Sequence, residues 1–207
     1  MCSKQYHHGD LKASLIEAAN TILLRDGADA LSLRAIAAEV GVSHMAPYAH
    51  FKNKKELISS IAEEGFVQLA DSMEIVSRAV KSKETMAPGE LVLAYGVSYL
   101  EFATANPQLY RLMLGQVETT GRKGKKLDNE SQNTLDRGNI SSDKKPFILL
   151  REAFALRGLC AEKVEAQALG AWSMVHGMAA LMLEGHIQVP EGTSFKHFLA
   201  AATPLAD

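Results

Sequence analysis

The sequence predicts an all-α protein, and three observations predict it. Apolar residues recur at helical spacing through most of the 207 residues. Glycine and proline stand between these stretches as boundaries, at Asp26-Gly27, Gly41, Pro88-Gly89 and Asn106-Pro107. One long stretch, Ala161 to about His186, is apolar nearly all round and belongs in the interior of a helical assembly.

Taken in order, residues 1–8 read as a mobile arm, with His7 and His8 solvated on it, a DNA contact being the other reading. Gly9-Asp10 opens the first helix, Asp10 serving as cap or first-turn acid. Leu11, Leu15, Ala19, Ile22 and Leu23 form its apolar stripe, and Asp26-Gly27 ends it.

The stretch from Leu31 to Leu57 is the most informative. Ser32 is a good N-cap, and Leu33, Ile36, Ala37 and Val40 follow on one helix face. Gly41 can take the left-handed conformation that stops a helix. Val42 can plug the turn, and Ser43 can cap a second short helix running to His50. Pro47 is tolerable there because it lies about one turn from the start. Two helices joined by a short turn with a glycine form a helix-turn-helix unit, whose second helix enters a DNA major groove. Helical hairpins that bind nothing share this turn, so spacing alone leaves both readings open.

The residues carry more than spacing. Ala37, Gly41, Val42, Ser43, Tyr48, His50, Phe51, Lys54 or Lys55, Glu56 and Leu57 stand in the pattern AxxxGVSxxxxYxHFxxKxEL. This resembles the DNA-binding domain of the TetR family of bacterial transcription regulators. Tyr6 to Lys12, YHHGDLK, resembles the entry to the first helix in a large subgroup of it. The resemblance implies that Ser32 and Arg34 approach DNA, that Tyr48 and His50 hold phosphates, and that Lys54 or Lys55 adds another phosphate contact. The residue chemistry fits. Arg34, near a helix N-terminus, suits a phosphate or base edge. Ser43 can bind phosphate through its hydroxyl or the helix-end amides, and His44 can donate to a base or phosphate. Met45 and Pro47 offer apolar contact, for example to a thymine methyl. Lysines at a helix N-terminus oppose the dipole and suggest an external anion. Ala49 departs from the family, where a basic residue is common, which leaves the base-reading set short of bidentate donors.

Lys52-Asn53-Lys54-Lys55 leads into a helix that continues through Leu57, Ile58, Ile61, Phe66, Leu69 and Met73 to about Ala79, with a solvated face as the other reading for Lys52. Lys81 to Ala87 is a polar connector, and Pro88-Gly89 opens a helix with Leu91, Tyr95, Tyr99 and Phe102. Asn106 is expected to cap the next helix, with Pro107 at its first position and Gly115 at its end. Residues 116–145 are mostly polar and read as a flexible loop, either a plain insertion or a lid. Helices follow over Phe147 to Arg157, Ala161 to about His186, and Phe195 to Ala202. The expected domains are therefore residues 1–55, a three-helix helix-turn-helix DNA-binding domain, and 56–207, a helical bundle that binds ligand and dimerises.

Tyr99 to Gly115, YLEFATANPQLYRLMLG, and Trp172 to Gly177, WSMVHG, resemble a C-terminal domain type of some TetR regulators, named for its Trp, His and Gly. The resemblance implies dimerisation through the last helices and a pocket for a small molecule. Tyr95, Tyr99, Tyr110, Met113, Trp172 and His176 are the candidate lining; aromatic residues and Met at helical spacing also suit a plain core.

Composition narrows the classes. The net charge is −2, yet residues 1–60 hold seven Lys/Arg and six Asp/Glu, and four of the seven histidines lie in the first fifty residues. Two cysteines, Cys2 and Cys160, give no disulfide framework and suit a reducing cytoplasm. The N-terminus lacks the apolar run of a signal peptide. Ala166 to Leu183 is about long enough to span a bilayer, but Gln167, Ser173 and His176 would be costly there. No catalytic cluster, phosphate-cradling glycine loop or metal-ligand spacing appears, so neither an enzyme nor a bound cofactor or metal is expected. The sequence is expected to encode a cytoplasmic, homodimeric regulator of transcription, a repressor released from a palindromic DNA operator by a small-molecule effector. A DNA-binding or architectural protein without ligand control is the alternative. Operator, effector, target genes and the sign of regulation are not encoded legibly.

Overall fold

The computed structural model describes residues 11–87, 89–121 and 142–202. Among these, every regular element is helical: α1 (Leu11–Asp26), α2 (Leu33–Val40), α3 (Lys54–Lys81), α4 (Glu90–Ala105), α5 (Pro107–Gly121), α6 (Lys145–Ala155), α7 (Ala161–Leu183) and α8 (Phe195–Ala202), with short 3-10 turns between some of them. They fall into two compact units. The first holds the described residues up to Gly65 and those of 108–121; the second holds 66–107 and 142–202. The chain passes from one to the other within α3.

In the first unit α1 packs on α2. It buries Leu15, Ala18, Ala19, Ile22 and Leu23, and α2 buries Leu33, Ile36 and Ala37. Both ends of α2 are fastened as the sequence suggests. The Ser32 hydroxyl oxygen accepts the Ala35 N–H at 3.1 Å. At the other end Gly41 takes φ +79°, its N–H donating to Ala38 at 3.2 Å while Val42 N–H donates to Ala37 at 2.9 Å. That pair of bonds satisfies two carbonyls the helix would otherwise leave open.

The segment after Gly41 differs from the short α-helix expected over Ser43 to His50. It is a turn followed by a 3-10 helix over Ala46–Ala49. The reason is Pro47. An α-helix beginning at Ser43 would have residue 47 donate to the Ser43 carbonyl, and proline has no N–H. The Ser43 carbonyl instead accepts from Ala46 at 2.9 Å, and the i to i+3 pattern continues from Tyr48 to Met45 and from His50 to Pro47.

α3 then starts from a reciprocal cap. Asn53 Oδ1 accepts the Glu56 N–H at 3.0 Å, and Glu56 Oε2 accepts the Lys52 N–H at 2.7 Å. α3 and α5 approach closely at Gly65, where an added Cβ would lie 2.6 Å from Met113 Sδ and 3.2 Å from Leu109 Cδ1. α5 begins at Pro107 as expected but continues to Gly121, past the Gly115 end read from the sequence. Asn106 caps backwards, not forwards: its Nδ2 donates to the Phe102 carbonyl at 3.0 Å, closing α4. Of the expected loop over 116–145, residues 122–141 lie outside the described residues.

In the second unit α4 packs against α6, α7 and α8, and α6 against α7. α4 is accordingly buried over much of its circumference, through Leu91, Val92, Tyr95, Ser98, Tyr99, Leu100, Phe102 and Ala103. The buried Ser98 hydroxyl is matched by Ser72 at 3.0 Å; since Ser72 donates to the Leu69 carbonyl, Ser98 is the donor in that pair. Lys145 ties α6 to α3, with Nζ 2.9 Å from Glu74 and 3.7 Å from Asp71. α7 buries one line of residues, Val164, Ala168, Val175 and Ala179. Its opposite line, with Ala166, Gly170, Ser173 and Gly177, is exposed, and Leu169 and Leu181 beside it are 56% and 44% exposed.

Candidate nucleic-acid interface and apolar cavity

The first unit presents a run of exposed polar, cationic and apolar side chains over residues 34–55. Arg34 is exposed in the first turn of α2. Ser43, His44, Met45 and Tyr48 are exposed on the turn segment, Met45 and Tyr48 at 71% and 52%. Both side chains are open to solvent and so available for contact. Lys54 and Lys55 are exposed in the first turn of α3. His50 is half-buried, its ring 6.4 Å from that of Phe51, which is itself core. Ser32 is half-buried, and its oxygen is already engaged as the α2 cap, leaving its hydroxyl proton to donate elsewhere.

Pro47 is a correction. The sequence puts it among the DNA-facing residues, but it is buried. The 3-10 geometry that its missing N–H enforces turns it inward, while Met45 and Tyr48 stay out.

Charge separates this surface from the rest of the unit. Arg25 is committed within the fold, 2.9 Å from Asp26 and 3.2 Å from Glu39, and these carboxylates hold its pKa above the ordinary arginine value. Arg34, Lys54 and Lys55 have no ion-pair partner among the described residues, and neither does Lys52, which is also exposed. Lys52 belongs to the lysine run read from the sequence, with a solvated face left open for it; it precedes the helix, and only its lack of a partner among the described residues distinguishes it from a solvated surface lysine. Lys12 lies near the same segment, its ammonium 6.0 Å from the Phe51 ring centre. Unpaired cations beside amide-rich turns and an exposed tyrosine hydroxyl are suited to phosphate, and the neighbouring Met and His to base edges.

The second unit holds a small, partly open apolar cavity of about 30 Å³ among residues of α3, α4, α6, α7 and α8. Of the predicted lining, Tyr95, Tyr99 and Trp172 come together on it. His176 stands beside it, not on it: its ring is 4.4 Å from that of Trp172 and 4.9 Å from that of Tyr99. Burial holds the His176 pKa below its ordinary value, partly offset by a bond to the Trp172 carbonyl. Tyr110 and Met113 do not line this cavity; they are buried in the first unit, where Met113 packs against Gly65. The other wall residues, including Met73, Val92, Leu150, Met174 and Leu199, do not stand out in the sequence. Their helical spacing is the same signal that an ordinary core gives, so periodicity does not separate them. Tyr95 is buried with its hydroxyl bonded to Ser77, and burial raises its pKa.

Comparison with known proteins agrees with this architecture. Residues 15–61 match the family model described as bacterial regulatory proteins, tetR family, and residues 92–202 match that described as tetracyclin repressor-like, C-terminal domain. A solved structure of a Rhodococcus sp. RHA1 protein of unknown function is 26% identical, with a TM-score of 0.67 over 97% of this chain and 95% of that one. The TetR family transcriptional regulator PfmR from Thermus thermophilus shares the fold at 19% identity, with a TM-score of 0.55 over 91% of this chain and 93% of its own. So does a TetR-like transcriptional regulator from Rhodococcus sp. RHA1, at 16% identity and a TM-score of 0.57 over 90% of each chain. The second of the two matching models spans more than half of the sequence, and the chain belongs to the TetR family of DNA-binding transcriptional regulators.

Proposed function

We propose that this protein is a homodimeric repressor that binds a palindromic DNA operator through residues 32–55 and releases it when a small molecule enters the cavity of the second unit. The observation that carries the DNA-binding surface is that Arg34, Lys52, Lys54 and Lys55, exposed and without an ion-pair partner among the described residues, flank the exposed Met45 and Tyr48 along one stretch of the chain. In this reading Ser32, Arg34, Ser43, Tyr48, His50, Lys54 and Lys55 hold the phosphate backbone and set the register. His44 and Met45 meet base edges. Pro47 supports them from within.

The dimer is assigned to the bare faces of α7 and α8. Two-fold pairing there would bury Leu169 and Leu181, and small residues at 166, 170, 173 and 177 allow close helix approach. A two-fold dimer reads a palindrome with half-sites one or more helical turns apart. No helix among the described residues is long and apolar enough to cross a membrane, and the site of action proposed is the cytoplasm.

The switch is a population shift. α3 carries Lys54 and Lys55 at its start and Met73 in the cavity wall. A ligand that favours one position of Met73 thereby favours one position of α3. The cavity favours this reading over an architectural protein without ligand control.

The test is a selection of bound duplexes from a random pool at stated salt. An enriched palindrome is the expected result. A folded protein that enriches no motif would rule out sequence-specific repression.

A further inference from the structure

The second unit keeps its charges away from the cavity. The lining contains no Asp, Glu, Lys, Arg or His side chain. Its hydrogen-bonding side-chain groups are the hydroxyls of Tyr95 and Tyr99 and the indole N–H of Trp172. The Tyr95 hydroxyl is committed to Ser77. The remaining surface is aliphatic, aromatic or thioether, with Met73 and Met174 among it. His176, behind the wall, is neutral near neutral pH because burial disfavours its charged form. Charged side chains of the same unit gather elsewhere, in an open cleft lined by Glu74, Arg78, Lys81 and Glu152. Tyr95 lies on both.

We infer that the cavity takes an uncharged, mostly apolar small molecule bearing a ring, and rejects carboxylates and ammonium ions of the same shape; the inference rests on the reading that a small molecule controls this protein. The physical reason is desolvation. An ion entering the cavity would leave water and meet no side chain of opposite charge on the lining, which opposes its entry, whereas an apolar body gains by burial. A ring suits the wall because Tyr99 and Trp172 already pack edge to face, 5.4 Å apart at 72°, and Phe147 meets Trp172 at 5.8 Å and 65°. Methionines at ring edges add favourable sulfur contacts and can repack around different outlines.

Trp172 is the one tryptophan in the sequence, so its emission reports the cavity directly. The experiment titrates the full-length protein with three probes of one shape: para-tert-butylbenzyl alcohol, para-tert-butylbenzoate and para-tert-butylbenzylammonium. The alcohol should change Trp172 emission, raise the melting temperature, and bind about tenfold or more tighter than either ion. Ala171→Leu, which fills the lining from α7, should weaken the alcohol by about tenfold or more while the protein stays helical. Should that variant fail to fold, Ala171→Met makes the same test with a more adaptable side chain. An ion that binds as tightly as the alcohol would overturn the inference, as would alcohol binding that Ala171→Met or Ala171→Leu leaves untouched. Three probes that change neither emission nor melting, on protein that still binds duplex, would also overturn it. Selective binding of the alcohol with no change in duplex affinity would support the ligand class and overturn ligand-controlled release.

Discussion

His176 Nδ1 lies 3.0 Å from the carbonyl oxygen of Trp172, one helical turn earlier on α7. A carbonyl can only accept, so Nδ1 carries the proton and Nε2 of the neutral ring is unprotonated. The two rings are packed 4.4 Å apart, which fixes Trp172 as a wall of the cavity. That position costs the ring basicity, because burial lowers its pKa from the ordinary 6.5. Below pH 6.5 the unfolded chain therefore binds more protons here than the folded one. The contribution of neutral His176 to stability is complete above pH 6.5 and is lost as the pH falls towards the folded-state pKa. Melting curves of wild type and His176→Asn, which keeps a donor for the Trp172 carbonyl, should diverge on acidification. The wild type should lose more melting temperature than the variant; parallel losses would show that His176 titrates alike in both states.

Gly65 is the contact point of α3 and α5 in the first unit. A Cβ there would meet Met113 Sδ at 2.6 Å and Cγ at 3.0 Å. Gly65→Leu is expected to destabilise the protein by roughly 1–3 kcal/mol through overpacking. Gly65→Ala gains about 1 kcal/mol of helix propensity, and Met113 must move to allow it. Adding Met113→Ala to Gly65→Leu should restore part of the stability. Denaturant titrations of the single and double variants check the coupling, which would be absent if the two sites were independent.

The ends of α2 set the frame for the turn that follows. Ser32→Ala should cost about 1 kcal/mol, and Ser32→Thr should preserve most of the cap. Gly41→Ala forces an L side chain into φ +79° and should cost on the order of 1–2 kcal/mol, although a Cβ there meets nothing within 4 Å. Equal stability of Gly41→Ala and wild type in chemical denaturation would contradict the left-handed cap.

On α7 an added Cβ at Gly177 also meets nothing within 4 Å of the chain itself. Gly177→Glu should therefore leave each subunit folded, and a helical glycine gains by replacement. On the proposed dimer face it would place two carboxylates against each other. Sedimentation should show the variant as a monomer at concentrations where wild type is dimeric. An unchanged dimer would move the interface off this face.

Much of this molecule is legible in its sequence because its local signals agree with its global packing. Ser32, Gly41 and the α1 stripe each act by chemistry confined to a few neighbouring residues, and each behaves as read. Pro47 is harder. Its effect on the hydrogen-bond ladder reads from the sequence as a minor loss, but the same missing donor changes the helix type and buries the residue. Asn106 could cap in either direction, and only the position of the Phe102 carbonyl decides. The cavity is the least legible feature. Tyr110 and Met113, like Tyr95 and Tyr99, are large side chains at helical spacing, but the first pair fills a core and the second borders a space. That difference depends on how several helices meet, which no single helix encodes.

The surface at residues 32–55 is proposed to hold the DNA backbone, and the proposed release of an operator by a ligand depends on it. It is tested most directly by the salt dependence of binding to one selected duplex, for wild type and for Arg34→Ala, Lys54→Ala and Lys55→Ala combined. The expected result is weaker binding and a salt slope shallower by about 0.9 for each phosphate that the variant no longer neutralises. Unchanged affinity and slope, with the variant folded and dimeric, would contradict this assignment and place the DNA-binding surface on another face.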